Sequence, residues 1–236
     1  MTADRPPLAE GVPDRLYGRR RGHPLRPRQE LLLEVTLPRL RLTPAAARDP
    51  LAAFGMLGAP LWLEVGFGGG EHALDQVAAH PEAAYIASEV FENGLCSLLT
   101  RLVADGEEAT GALPGNLRLW PQDARHLLTA LPDGALDRLF LLFPDPWPKA
   151  RHAKRRFVHP SLLPLVARAV KPGGLWRIAS DDPTYQGWVE EVMAEATDFA
   201  LVSRDTQRPG DWPGTRYEAK ALREGRQPIY WVFRRR

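Results

Sequence analysis

A single cysteine, Cys96, leaves no second thiol for an intramolecular disulfide. A reducing compartment fits that usage, and a lone thiol in a helical pattern reads as a buried one. No stretch approaches the ~20 apolar residues that a membrane span needs. Met1 to Pro13 is too polar and proline-rich for a signal peptide, so a cytoplasmic protein without membrane partners is expected. The six histidines (His23, His72, His80, His126, His152 and His159) are scattered without metal-ligand spacing, and no metal is expected. No Ser-His-Asp or Cys-His arrangement and no internal repeat is visible. Net charge is only +2, so any basic surface must be local rather than global.

What is present suits one α/β domain. At 236 residues with 44% hydrophobic content the chain can bury a substantial core. Residues 1–14 read as a loose tail, and 15–236 as a single domain that opens with a basic arm over 15–29. Arg15, Arg19, Arg20, Arg21, Arg26 and Arg28 occur in that arm without Asp or Glu. Such a run needs solvent or an anion, and phosphate contact is the sharper of the two readings. Leu31 to Leu57 reads as a strand or turn plus a helix ahead of the main sheet.

The most distinctive stretch is Phe143-Pro144-Asp145-Pro146-Trp147-Pro148-Lys149. The apolar run Leu139 to Phe143 leads into it as a buried strand. Prolines at alternate positions then end the strand, since each lacks an amide donor and restricts its predecessor to extended geometry. Asp145 is thereby placed on a stiff loop past a strand's carboxyl end, where open α/β sheets hold their ligands. Lys149, Arg151, Lys154, Arg155 and Arg156 follow without an acid among them. A stiff carboxylate beside dense cations suits an orienting acid next to a polyanion-binding surface; a solvated basic turn is the plainer alternative.

Leu61 to Gly66 is a strand that runs into Gly66-Phe67-Gly68-Gly69-Gly70 and then a helical pattern, Glu71 to Ala79. Glycines here, Gly66 and Gly68 above all, let a ligand approach the backbone. The third glycine of a dinucleotide fingerprint is replaced by Glu71, and Glu64 lies just before the turn. Pyrophosphate avoids nearby carboxylates. The pair therefore favours a cofactor with a cationic portion, S-adenosylmethionine, over NAD.

Tyr85 to Val90 is a second strand, and Glu89 at its end can accept from ribose hydroxyls. A helix follows over Phe91 to Asp105. Leu117 to Trp120 is a third strand, ending at Asp123, which can take an adenine amino group, cap a helix, or do both. With Asp145 after the fourth strand, Glu64, Glu89, Asp123 and Asp145 read as one site at one edge, Asp145 facing cofactor and substrate alike. Pro160 to Val170 is expected as a helix stopped by Lys171 to Gly174, then a strand, Leu175 to Ala179, and a helix, Tyr185 to Ala196. Two more strands are expected at Phe199 to Val202 and Ile229 to Phe233. The Pro/Gly-rich loop between them carries Thr215-Arg216-Tyr217-Glu218.

These segments together resemble the tRNA (guanine-N7)-methyltransferase family. The likeness rests on the arginine arm, Leu63 to Gly70, Ser88 to Val90, Phe143 to Lys149, the Arg151 to Arg156 run and Thr215 to Glu218, and it covers most of the chain. It implies a Rossmann-like class I methyltransferase fold: a seven-stranded, mostly parallel sheet with an antiparallel last strand and helices on both faces. It implies S-adenosylmethionine contacts at Glu64, Glu89 and Asp123 and a catalytic role for Asp145. It also implies tRNA or guanine contacts at Lys149, Asp181 and Thr215 to Glu218, with Asp182 a competitor for the role of Asp181. The guanosine implied is number 46 of the variable loop. Asp145-Pro146-Trp147 also resembles the acid-Pro-Pro-aromatic loop of exocyclic-amine methyltransferases, though the second proline is missing. A non-catalytic RNA-binding module on a methyltransferase fold is the rival from another class. Monomer and homodimer are both compatible with the sequence.

Overall fold

The computed structural model describes Gly18 and residues 20–236. The expected tail, 1–14, and two arginines of the arm, Arg15 and Arg19, lie outside the described residues. Seven strands form one sheet: β1 (Leu61–Val65), β2 (Ala84–Ser88), β3 (Leu117–Trp120), β4 (Leu136–Leu142), β5 (Val170–Ser180), β6 (Phe199–Asp205) and β7 (Ile229–Arg235). Their order is β3-β2-β1-β4-β5-β7-β6. The first five pair in parallel, and β7 runs antiparallel to both β5 and β6. The order reverses at β1, so a crevice opens above the carboxyl ends of β1, β2 and β4, where doubly wound sheets bind ligands.

Alternation along the strands builds two cores. Leu61, Leu63, Ala84, Ile86, Leu139, Leu141, Trp176 and Ile178 face one side, with Trp62, Tyr85, Ala87, Phe140, Leu142 and Ala179 on the other. Side chains two apart share a face in a strand, and both faces of a parallel sheet must be covered. The first face packs against α3 (Pro50–Phe54), α6 (Ala124–Ala130), α7 (Leu163–Ala169) and α8 (Pro183–Ala194). The second packs against α4 (Glu71–Ala79), α5 (Glu92–Leu102) and an N-terminal helical run. That run is α1 (Pro27–Leu31), a π-widened turn (Leu32–Thr36) and α2 (Leu37–Leu40). No helix among the described residues is long and apolar enough to cross a membrane.

Three elements differ from the sequence expectations. No strand forms between Leu31 and Leu57; only Arg41 bridges to the sheet edge, at Leu119, because the apolar spacing of Leu32, Leu37 and Leu40 lays a helical face on the second core. Lys171 to Gly174 does not separate a helix from a strand: β5 already starts at Val170, and a register shift opposite Leu136–Arg138 absorbs the irregular stretch. The segment at Thr215 is a helix, α9 (Arg216–Arg223), rather than a loop. Its N-cap Thr215 accepts from the Glu218 amide at 3.0 Å, and Glu218 reaches back to the Thr215 amide. This is a capping box readable from Thr-x-x-Glu.

Candidate active site

A cavity of about 620 Å³ occupies the crevice. Its lining comes from the turn after β1 (Val65, Gly66, Gly68), the end of β2 (Ser88 to Phe91), the β3–α6 junction (Gln122 to Arg125) and the loop after β4. Gly66 and Gly68 have φ of 76° and 59°, which side-chain-bearing residues rarely adopt. A Cβ on Gly66 would meet nothing within 4 Å, so the backbone there lies open to the cavity. On Gly68 it would strike the Tyr217 ring at 2.8 Å. Tyr217 itself lines the cavity.

Glu89 ties the second strand to this turn. Its Oε2 accepts from the Gly68 amide at 2.8 Å, and its Oε1 accepts from the amides of Val90 and Phe91 at 2.8 and 3.0 Å. Burial raises its carboxyl above the ordinary value, against the downward pull of these three amides. One acceptor position on Oε2 is left for a ligand hydroxyl. Asp123 takes the helix-capping role foreseen for it and also lines the cavity. It caps α6, accepting from the Arg125 amide at 2.9 Å, and pairs with the Arg125 guanidinium at 2.5–3.0 Å while lining the cavity.

Glu64 stops one residue short of the lining. It is 2% exposed, and its Oε2 accepts from the Tyr85 hydroxyl at 2.7 Å and lies 3.0 Å from His72 Nδ1. Burial, with Glu64 second, pushes the Tyr85 hydroxyl well above its ordinary range, so Tyr85 stays a donor. The sequence reading does not single out His72; a histidine eight residues after a strand acid, at the second position of α4, is the signal that points to it.

The loop after β4 holds Asp145 by strain and by one buried arginine. Phe143 and Trp147, on either side of Pro144-Asp145-Pro146, have φ of 51° and 45°. Bulky residues avoid that region, and the conformation persists only where its surroundings impose it. Arg156 imposes it: its Nε donates to the Pro146 carbonyl and one terminal nitrogen to the Trp147 carbonyl, each at 3.0 Å. Its guanidinium lies 4.7 Å from the Trp188 ring centre. Asp145 is exposed at the cavity and has no hydrogen bond or ion pair among the described residues. The basic run after the loop winds into a 3₁₀ turn (Ala150–Arg155). Lys149, Arg151 and Lys154 are exposed there, while Arg155 stacks at 4.7 Å from the centre of the Trp147 ring.

Several expected substrate contacts have partners within the protein. Arg156 is a buried loop clamp rather than a surface cation. Thr215 and Glu218 are committed to their capping box, and buried Glu218 also accepts from Tyr230 at 2.6 Å and Arg208 at 2.9 Å. Arg216 lies over the Tyr217 ring at 4.9 Å. Asp182 caps α8 through the amides of Thr184 and Tyr185. Asp181 accepts from Arg226 at 2.6 Å, outside the cavity lining. In the arm, the acids missing from the local sequence come from elsewhere. Arg28 pairs with Asp105 and Glu108 at 3.0 and 2.8 Å, and Arg21 with Glu92 at 3.3 Å. Among the described residues no group of His, Cys, Asp and Glu could hold a metal ion.

A family model described as a putative methyltransferase matches residues 58–230. A Granulibacter bethesdensis protein named tRNA (guanine-N(7)-)-methyltransferase is 63% identical over 225 residues, covering 95% of this chain and 96% of the relative. One of the same name from Rhodospirillum rubrum is 47% identical, covering 94% and 88%. Among solved structures, the 16S rRNA methyltransferase KamB superposes with a TM-score of 0.57 at 17% identity, over 80% of this chain and 94% of that one. TrmN from Thermus thermophilus does so at 0.51 and 20%, over 89% and 52%. Those two likenesses show the fold, that of a class I methyltransferase. The sequence relatives, at 63% and 47% identity over nearly the whole chain, go further: the chain belongs to the tRNA (guanine-N(7)-)-methyltransferase family.

Proposed function

We propose that this chain transfers the methyl group of S-adenosylmethionine to N7 of a guanosine in the variable loop of tRNA. The observation that carries the reading is Asp145: a carboxylate unpaired among the described residues, on a strained, clamped loop, at the mouth of a cavity that Glu89 and Asp123 also line, beside the exposed cations Lys149, Arg151 and Lys154. The residues fit the cofactor. Gly66 leaves backbone open, Glu89 keeps one acceptor position for a ribose hydroxyl, and Asp123, which lines the same cavity, is the acceptor we assign to the adenine amino group. Glu64, behind them, adds negative charge for a cationic amino-acid tail. When bound, S-adenosylmethionine supplies an electrophilic methyl group whose bond to sulfur breaks as the bond to N7 forms.

Guanine N7 carries a free lone pair at neutral pH, so no side chain has to remove a proton from it. The work left to the protein is alignment and charge. Asp145 accepts from the guanine N1 and amino protons, turning N7 toward the cavity, and its charge offsets the cation that develops on the base. Alignment of two reactants contributes on the order of 7–11 kcal/mol. Trp147, its ring pinned beneath Arg155, supplies an aromatic face at the cavity mouth.

Transfer of a labelled methyl group to unmodified tRNA, followed by borohydride and aniline treatment, tests the proposal. Methylation at N7 makes the strand break at one variable-loop guanosine; a labelled but unbroken strand means an exocyclic amine and overturns it. The cations make a separate prediction. Replacing Lys149, Arg151 and Lys154 by Ala should lower the slope of log K against log salt by about 2 to 3, at roughly 0.7–0.9 per phosphate lost. Cofactor affinity should stay as it was. A slope unchanged in filter binding moves the RNA face elsewhere.

Glu89 makes affinity for the cofactor depend on pH. Only its ionised form accepts from a ribose hydroxyl while holding the Gly68 amide. Above its pKa affinity is constant, and below it affinity falls tenfold per pH unit. Since burial raises that pKa, the fall begins at a higher pH than for an ordinary glutamate. Calorimetric titration with S-adenosylhomocysteine should show this for the native chain, and a weak, flat profile for Glu89→Gln. A native profile flat through the whole acid range excludes the contact.

A further inference from the structure

We infer that the exposed face of α9, carrying Arg216, Lys220 and Arg223, is a second phosphate-binding rail that grips the tRNA backbone beside the cavity. The inference rests on the reading above that the substrate is tRNA. Residues four and three apart share one helix face, so these cations form a stripe that rises about 10 Å over seven residues. All three are exposed, whereas Glu218 and Ala221 point inward and are buried. Among the described residues Glu224 pairs with Arg226 and, at 3.9 Å, with Lys220. Arg223 has no acidic partner among the described residues.

The stripe begins at the site itself. Tyr217 lines the cavity against Gly68, and Arg216 lies over its ring. The helix is set rigidly by its capping box and by the bonds from Glu218 to Tyr230 and Arg208. Lys220 and Arg223 sit in the last turn, where cations also complement the helix dipole. Arg216 does not: it occupies the first helical position, the positive end, where a cation is disfavoured. Within the protein Lys220 has Glu224, and Arg216 has only the ring and hydroxyl of Tyr217, so an outside anion is a partner that would serve all three. A strand held by this rail and by Lys149, Arg151 and Lys154 is gripped by two segments that each reach the cavity, one at Tyr217 and one at Lys154.

The test is the variant Lys220→Ala/Arg223→Ala, which leaves Asp145, Tyr217 and Arg216 in place. Fluorescence anisotropy with labelled unmodified tRNA should show the salt slope reduced by about 1.4 to 1.8, for two phosphates at roughly 0.7–0.9 each. The tRNA KM should rise at least tenfold with kcat unchanged at saturation, and S-adenosylhomocysteine should bind as before. Lys220→Arg/Arg223→Lys should restore slope and KM. An unchanged slope, whether or not the melting temperature falls, overturns the rail and leaves the cations to the helix dipole or to another partner. Native protein assayed alongside separates the two readings: if it does not methylate tRNA, the parent proposal fails; if it does and the variant matches it, only the rail fails.

Discussion

Asp145→Asn should bind tRNA and S-adenosylhomocysteine as the native chain does and transfer methyl groups on the order of 10²–10³ times more slowly, the loss seen when one preorganised electrostatic group is removed from an active site. Asparagine keeps the shape but loses the charge. Its amide also turns a donor toward a base edge that itself only donates, so one of two hydrogen bonds is replaced by a repulsion. The variant is clean because Asp145 has no partner among the described residues, and removing its charge breaks no contact of the fold. Its melting temperature should therefore match the native value. Asp145→Glu restores the charge one methylene too far out; misplacement of about 1 Å can itself cost ~10²-fold. Single-turnover rates at saturating tRNA separate these effects from binding. Near-native turnover by Asp145→Asn would remove the carboxylate from the mechanism.

The sequence made the sheet and the rim legible because both follow from local rules. Buried parallel strands read as apolar runs, and glycines or prolines at their carboxyl ends mark where the chain turns over the crevice. The positions of Glu89, Asp123 and Asp145 at the rim follow from that pattern alone. Two kinds of feature were not legible. One is the commitment of a polar residue to a distant partner: Arg28 finds Asp105 and Glu108, and Asp181 finds Arg226, each across 45 or more positions. Arginines that look unpaired along the chain are thus paired in space. The other is the difference between surface and buried cations inside one basic run. Lys154 and Arg156 are two residues apart, and only the twist of a 3₁₀ turn makes one exposed and the other a clamp. The helix at Arg216 was missed for a different reason. Its Thr-x-x-Glu signal lies among Pro213, Gly214 and other turn formers, and there composition hides the cap.

Arg156 gives the sharpest test of that distinction. Its buried guanidinium donates to the carbonyls of Pro146 and Trp147 and packs on Trp188, so Arg156→Ala strands two carbonyls and frees a loop held at positive φ. Hydrogen bonds from a charged donor contribute roughly 1.5–3 kcal/mol each, so a destabilisation of about 3 kcal/mol is expected. For a chain of this size that lowers the melting temperature by about 6–12 °C. Methyl transfer should fall by at least ~10²-fold, because Asp145 rides on the released loop. The tRNA salt slope should stay native, since no phosphate contact has been lost. Arg156→Lys should recover little, as one ammonium cannot reproduce the planar fork that reaches two carbonyls from one side while stacking on an indole. A phosphate-binding arginine behaves in the opposite way on every axis: stability native, slope reduced by about 0.7–0.9, and function largely recovered by lysine. Calorimetry and the salt titration together decide which arginine this is.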